Sequence, residues 1–189
     1  MISAILLAAG KSKRMDGENK LIKKIQNIPV IKHSVRNILD SSVDELIIVL
    51  GYQSEIVRKL IDNEAKIKFV FNKDFEDGMA SSIKVGVTHL SKKTKSFLIC
   101  LADMPMVNKD ILNLLIKSRN KSEIIVPTYK EKQGNPVLFS KSFINEIMKI
   151  KGDIGAKKIL ELNDDKILKI KTDNQNIIKN FNTQEDFNF

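Results

Sequence analysis

The densest chemistry in the sequence lies in Leu7-Ala8-Ala9-Gly10-Lys11-Ser12-Lys13-Arg14-Met15, running on to Lys20. Small residues ending in Gly let a backbone turn tightly and let a ligand approach it closely. Consecutive N–H groups in such a turn form an anion-binding concavity, and Arg14 and Lys20 add fixed positive charge. The stretch reads as a phosphate-binding loop, against the plainer alternative of a turn with solvated lysines. Two other phosphate loops are excluded. Gly10-Lys11-Ser12 ends like a P-loop, but position 5, where that motif needs its first Gly, is Ile. Ser12 and Met15 stand where a dinucleotide fingerprint places its second and third glycines.

A carboxylate follows further on, in Ala102-Asp103-Met104-Pro105. Asp103 comes directly after an apolar run. A hard carboxylate there suits Mg²⁺, which binds through one or two protein oxygens plus substrate phosphates; the structural alternative is an N-cap for the next helix. Gly78-Met79-Ala80-Ser81-Ser82 combines a Gly that permits close backbone approach with two hydroxyls. Hydroxyls donate and accept, so Ser81 and Ser82 suit the edge of a pyrimidine or a ribose, or else cap a helix. His33 and His89 lie apart from each other and from Cys100, which argues against zinc. Cys100, the single cysteine, allows no internal disulfide and reads as a small buried hydrophobe.

The elements that must position these residues follow from hydrophobic patterning. Short apolar runs at 2–8, 45–50, 67–71, 97–101, 123–126 and 167–170 read as strands, the first two buried on both faces. Residues 21–25 form a short extended piece, and 129–139 a hairpin or loop whose Val137-Leu138-Phe139 returns to the sheet. Helices are predicted from Pro29 to about Asp40, from a cap at Ser54 through Ile61, and over 80–90, 109–119, 141–150 and 153–162. Alternating strands and helices give βαβ units and a mostly parallel sheet with helices on both faces. In such sheets ligands bind outside the carboxyl ends of the strands, which puts loops 8–20, 72–82 and 102–105 on one rim.

At 189 residues, 42% hydrophobic and 29% charged, the chain fits one domain, 1–189, with a sizeable core. No apolar run approaches the ~20 residues of a membrane span, and the N-terminus lacks the order of a signal peptide; a cytoplasmic protein is expected. The net charge of +9 favours anionic partners. The lysines are scattered, though, and with no Trp and two Tyr a stacking nucleic-acid surface is not expected.

Five segments in this order carry a resemblance. They are the loop from Leu7 to Met15 with Asn19-Lys20-Leu21, then Gly78-Met79-Ala80-Ser81-Ser82, then Ala102-Asp103-Met104-Pro105. After these come Gly134-Asn135-Pro136-Val137-Leu138-Phe139 with Lys151-Gly152-Asp153-Ile154-Gly155-Ala156, and the tail Asn180-x-Asn182-Thr183. Together they resemble nucleotidyltransferases that act on the molybdenum cofactor, and Ala8-Ala9-Gly10 resembles the cytidylyltransferase branch. Departures are Asp16 ahead of Gly17, Asn135 where the family usually has His, and Gln184 where it usually has Pro.

The resemblance implies a three-layer α/β/α Rossmann-like fold of the nucleotide-diphospho-sugar transferase type. It implies transfer of CMP from CTP to the terminal phosphate of molybdopterin, in its molybdenum-bound form, with release of pyrophosphate and with Mg²⁺ as cofactor. Leu7, Ala8, Ala9, Gly10, Ser12, Arg14, Lys20, Gly78, Ser81 and Ser82 would bind nucleotide, with Arg14, Lys20 and Asp103 catalytic. Asp103 and Asn182 would hold the metal. Gly134, Asn135, Pro136 and Asp153 would meet the acceptor, with metal contact or helix capping left open for Asp153. A molybdenum hydroxylase would receive the product. Rival readings are a guanylyltransferase of the same cofactor, a sugar- or polyol-phosphate nucleotidyltransferase, and a non-catalytic cofactor chaperone.

Overall fold

The computed structural model describes residues 1–11, 18–153, 155–181 and 186. Strand β1 (Ile2–Ala8) leads to a small hairpin, β2 (Lys24–Ile25) and β3 (Ile28–Pro29), and then to helix α1 (Val30–Leu39). There follow β4 (Glu45–Leu50), α2 (Ser54–Lys59), β5 (Ile67–Phe71), α3 (Met79–Thr88), β6 (Ser96–Leu101) and α4 (Lys109–Lys117). The last third holds β7 (Ile124–Tyr129), β8 (Lys132–Gln133), β9 (Val137–Ser140), α5 (Ile144–Ile147), α6 (Lys157–Leu162) and β10 (Ile167–Lys171).

The main sheet runs β10-β7-β9-β6-β1-β4-β5, with β8 paired to β7. Its pairs are parallel except those made by β9 and β8. The unbroken apolar runs reflect burial on both faces. Along β4, Leu46, Ile48 and Leu50 pack with α1, α2 and α4, while Ile47 and Val49 pack with α3, α5 and α6. The three-layer α/β/α arrangement with a mostly parallel sheet is therefore as the sequence implies. Among the described residues no helix is long and apolar enough to cross a membrane.

Local differences from the predicted elements have identifiable causes. Pro29 ends β3, paired with Lys24, so α1 starts one residue later. Ser54 does not cap α2: Gln53 precedes the helix in the left-handed conformation (φ 50°), and Ser54 is its first residue. The turn is drawn tight there because the Tyr52 N–H donates to the Ala9 carbonyl at 3.1 Å. The helix predicted from 153 begins only at Lys157, since Gly152 and Gly155 both hold positive φ. Residues 141–150 give a 3₁₀ turn (Lys141–Phe143) and the short α5. The N-cap of α4 is Asn108, whose side chain accepts the Ile111 N–H; Asp103 is not used for capping there.

Cys100 sits in β6 at 5% exposure, and burial pushes its thiol from an ordinary 9.0 up to about 12. A raised folded-state value stabilises fully below the unfolded pKa, and the effect is lost as pH rises through the folded one. The unfolding free energy of the native protein should therefore fall, relative to Cys100→Ala, between about pH 9 and pH 12. Denaturant titrations across that range check this; two curves that stay parallel would refute it.

Candidate active site

The carboxyl ends of four parallel strands meet on one edge. Leu7 of β1 lies opposite Leu101 of β6, Ala8 opposite Leu50 of β4, and Leu50 opposite Phe71 of β5. The loops leaving these strands enclose a cleft of about 670 Å³. Its lining includes residues 7–11, Lys20, Gly78, Met79, Ser82, Asp103, Asp153 and Asn180. Among the described residues a side chain added at Gly10 would meet nothing within 4 Å, which leaves room there for a ligand to approach the backbone.

Asp103 reaches the loop because the Ala102 N–H donates to the Leu7 carbonyl at 3.2 Å, tying the exit of β6 to that of β1. Its carboxylate is ion-paired with the Lys20 ammonium, both side chains being about five-sixths buried (16% and 17% exposed). The Asn180 amide donates to its other oxygen at 3.3 Å. The Phe181 N–H donates to the Asp103 carbonyl at 2.8 Å and fastens the tail to the site. Lys20 is set by the turn at Asn19, whose side chain accepts the Leu21 N–H at 3.1 Å. Lys11 bridges to Glu76 across the cleft mouth, its ammonium 5.8 Å from the centre of the Phe75 ring.

The opposite wall is built around α3. Gly78 takes φ 96° and ψ −179°, which lets the chain pass hard against Gly152. The Gly152 carbonyl accepts the Ala80 N–H at 3.0 Å, and the Asp153 carboxylate accepts the Met79 N–H at 3.0 Å. Asp153 thus faces the cleft while holding the first turn of α3, an element 74 residues away in the chain. It caps that helix and not the one it precedes. Ser81 and Ser82 differ in placement: Ser82 lines the cleft at 5% exposure, whereas the Ser81 hydroxyl bonds the carbonyls of Asp74 and Gly78.

Gly134 and Asn135 are fastened elsewhere. Gly134 packs against Ile177, the Asn135 N–H donates to the Ile177 carbonyl at 2.8 Å, and the Asn135–Pro136 peptide is cis. Asn135 and Pro136 line a smaller cavity of about 20 Å³ with Cys100, Leu101 and Met104, and Leu101 also lines the large cleft. Ser12, Arg14 and Asn182 lie outside the described residues.

Among the described residues no three His, Cys, Asp or Glu side chains converge as a metal cage. Asp103 offers a sparse donor set, one carboxylate toward which the Asn180 amide turns its NH₂ and not its oxygen. That set fits Mg²⁺, which keeps several waters and shares itself with phosphates, and would not suit zinc. Sequence reasoning passed over Asn72, 1% exposed and bonded to both serines. Its only signal is a polar residue directly after an apolar strand. Asn180 was visible only as part of the tail motif.

Residues 4–168 match the MobA-like NTP transferase domain. Along nearly its whole length the chain is similar to the molybdenum cofactor cytidylyltransferase of Escherichia coli K12, 26% identical over 98% of this chain and 93% of that protein. It is 27% identical over 134 residues to the bifunctional protein GlmU of Staphylococcus epidermidis, spanning 70% of this chain but only 29% of GlmU. The crystal structure of Rv0371c from Mycobacterium tuberculosis H37Rv superposes with a TM-score of 0.88 at 24% identity, covering 98% of this chain and 95% of that one; this likeness shows the shared fold.

Proposed function

The chain belongs to the MobA-like NTP transferase domain family, and on that premise we propose that it transfers CMP from CTP to the terminal phosphate of molybdopterin in the molybdenum cofactor, releasing pyrophosphate with Mg²⁺ as cofactor. The observation that carries this reading is the Lys20–Asp103 pair set in the same cleft as the backbone of residues 7–11. Its likeness to the E. coli cytidylyltransferase supports the choice of nucleotide and acceptor.

In this reading the N–H groups of the loop and the Lys20 ammonium hold the triphosphate. Arg14 adds a bidentate contact and Lys20 a mobile point charge. The acceptor phosphate attacks the α-phosphorus of CTP, a new P–O bond forms, and the bond to the β-phosphate oxygen breaks to free pyrophosphate. The acceptor is already ionised, so no general base is required, and the protein's contribution is positioning and charge neutralisation. Asp103, with Asn182 as second ligand, would hold the divalent cation, which would supply Lewis-acid stabilisation of charge at the α-phosphate. Lys20 pairs with the Asp103 carboxylate and lines the same cleft, within which its ammonium would serve the phosphates. Gly134, Asn135 and Pro136 serve the acceptor side together with Asp153. The product passes to a molybdenum hydroxylase in the cytoplasm.

A thermal-shift series with four nucleoside triphosphates and Mg²⁺, followed by pyrophosphate release in the presence of molybdenum cofactor, tests the reading. A ligand at one hundred times its Kd adds about 2.7 kcal/mol, or roughly 5–10 °C in a chain of this size. CTP is expected to give the largest shift and to be the triphosphate consumed. A larger shift with GTP, or cofactor binding without pyrophosphate release, would overturn it.

A further inference from the structure

Asn72 follows β5 directly, is 1% exposed, and has its amide orientation fixed by a partner that can only donate: the Asp74 N–H reaches its Oδ1 at 3.0 Å. Both hydrogens of its NH₂ group are thereby committed outward, to Ser81 Oγ at 2.8 Å and to Ser82 Oγ at 3.0 Å. Ser81 passes its own proton to the Asp74 and Gly78 carbonyls, 2.8 and 2.9 Å away. Ser82 has no such outlet. Among the described residues its one hydrogen bond is the one it accepts from Asn72, yet it is 95% buried in the cleft wall. A hydroxyl has one proton and two lone pairs. With a lone pair taken by Asn72, the proton of Ser82 is left to point at whatever fills the cleft, and a buried donor without an acceptor is costly.

We infer that Asn72 is a specificity-determining positioning residue: it holds the Ser82 hydroxyl as a donor toward the base, so that the site favours a pyrimidine whose ring nitrogen accepts over one whose ring nitrogen donates. Cytosine presents N3 as an acceptor and uracil presents N3–H. The inference rests on the proposed reading that this cleft holds a pyrimidine nucleotide. It goes further in assigning the discrimination between two pyrimidines to a residue that never touches the ligand.

The test compares the affinities of CTP and UTP, with Mg²⁺, for the full chain and for Asn72→Asp, Ser82→Ala and the double variant, by calorimetry. A carboxylate at 72 still accepts the Asp74 N–H but also takes the Ser82 proton, leaving only lone pairs toward the base. The preference for CTP over UTP is expected to fall about tenfold in Asn72→Asp and by a similar factor in Ser82→Ala. In the Ser82→Ala background the second change should add nothing, a pattern that a general loosening of the loop would not give. A folded Asn72→Asp protein with native preference overturns the inference, as does an equal effect of that change in both backgrounds. If Asn72→Asp does not fold, an unchanged preference in Ser82→Ala overturns it alone. Tighter binding of GTP than of either pyrimidine by the native protein would instead sink the cytidylyl reading, while the CTP-to-UTP ratios still judge Asn72. Failure to bind any pyrimidine overturns both.

Discussion

Asp103→Ala is expected to lower pyrophosphate release from CTP by about 10³-fold while leaving the fold intact. The side chain lies in the cleft wall and not in either apolar layer, and its contacts are polar ones to Lys20 and Asn180. The bonds that seat its backbone region, Ala102 N–H to Leu7 and Phe181 N–H to the Asp103 carbonyl, do not involve the carboxylate. Lys20 and Asp103 both line the open cleft, so water can reach the ammonium left behind, and the melting temperature should change by no more than a few degrees. The charge change also gives a signature that simple damage would not. Removing the carboxylate relieves Lys20 of this anionic partner, so CTP binding in EDTA should be as tight as in the native protein or tighter, while the gain from adding Mg²⁺ disappears. Native turnover in the variant, or a loss of CTP binding in EDTA equal to the loss of turnover, would defeat the role assigned to Asp103.

Gly78→Ala is expected to damage stability and nucleotide binding together. At φ 96° and ψ −179° the backbone occupies a region that is essentially open to glycine alone, with a cost of about 1–3 kcal/mol for another residue. A Cβ would also stand 2.7 Å from the Gly152 carbonyl carbon, 2.8 Å from its oxygen and 2.9 Å from the Asp153 nitrogen. These are backbone atoms and cannot swing aside. Relief requires the 150s loop to retreat from α3, which breaks the Ala80–Gly152 and Met79–Asp153 bonds. With strain and steric terms together near 3 kcal/mol, the melting temperature should drop by roughly 10 °C. The KM for CTP should rise at least about tenfold, because Ser82 hangs from the same turn. Calorimetric melting and steady-state kinetics measure both. A variant with native melting temperature would show that the close approach to Gly152 is not required.

Much of this site lies in plain view along the chain. The unbroken apolar runs at 2–8 and 45–50 require strands covered on both faces, and hydrophobic burial makes that outcome insensitive to detail. Small residues ending at Gly10, and a carboxylate two residues after the strand ending at Leu101, mark two loops at strand exits. The rule that parallel sheets bind ligands at those exits then places them on one rim.

What the chain's order cannot show is which polar group answers which. Lys20 meets Asp103 because β1 and β6 are neighbours in the sheet, a matter of strand order. Asp153, next to a helix it was suited to cap, instead holds α3. Asn72 gains its meaning only when Ser81 and Ser82 arrive from the following helix and Asp74 fixes its amide. The physical reason is range and direction. Burial of apolar area is additive and direction-free, so composition and periodicity suffice to write the layers of this fold. A hydrogen bond exists only within a few tenths of an ångström and a narrow angle, and that geometry is set by segments tens of residues apart once the core has closed.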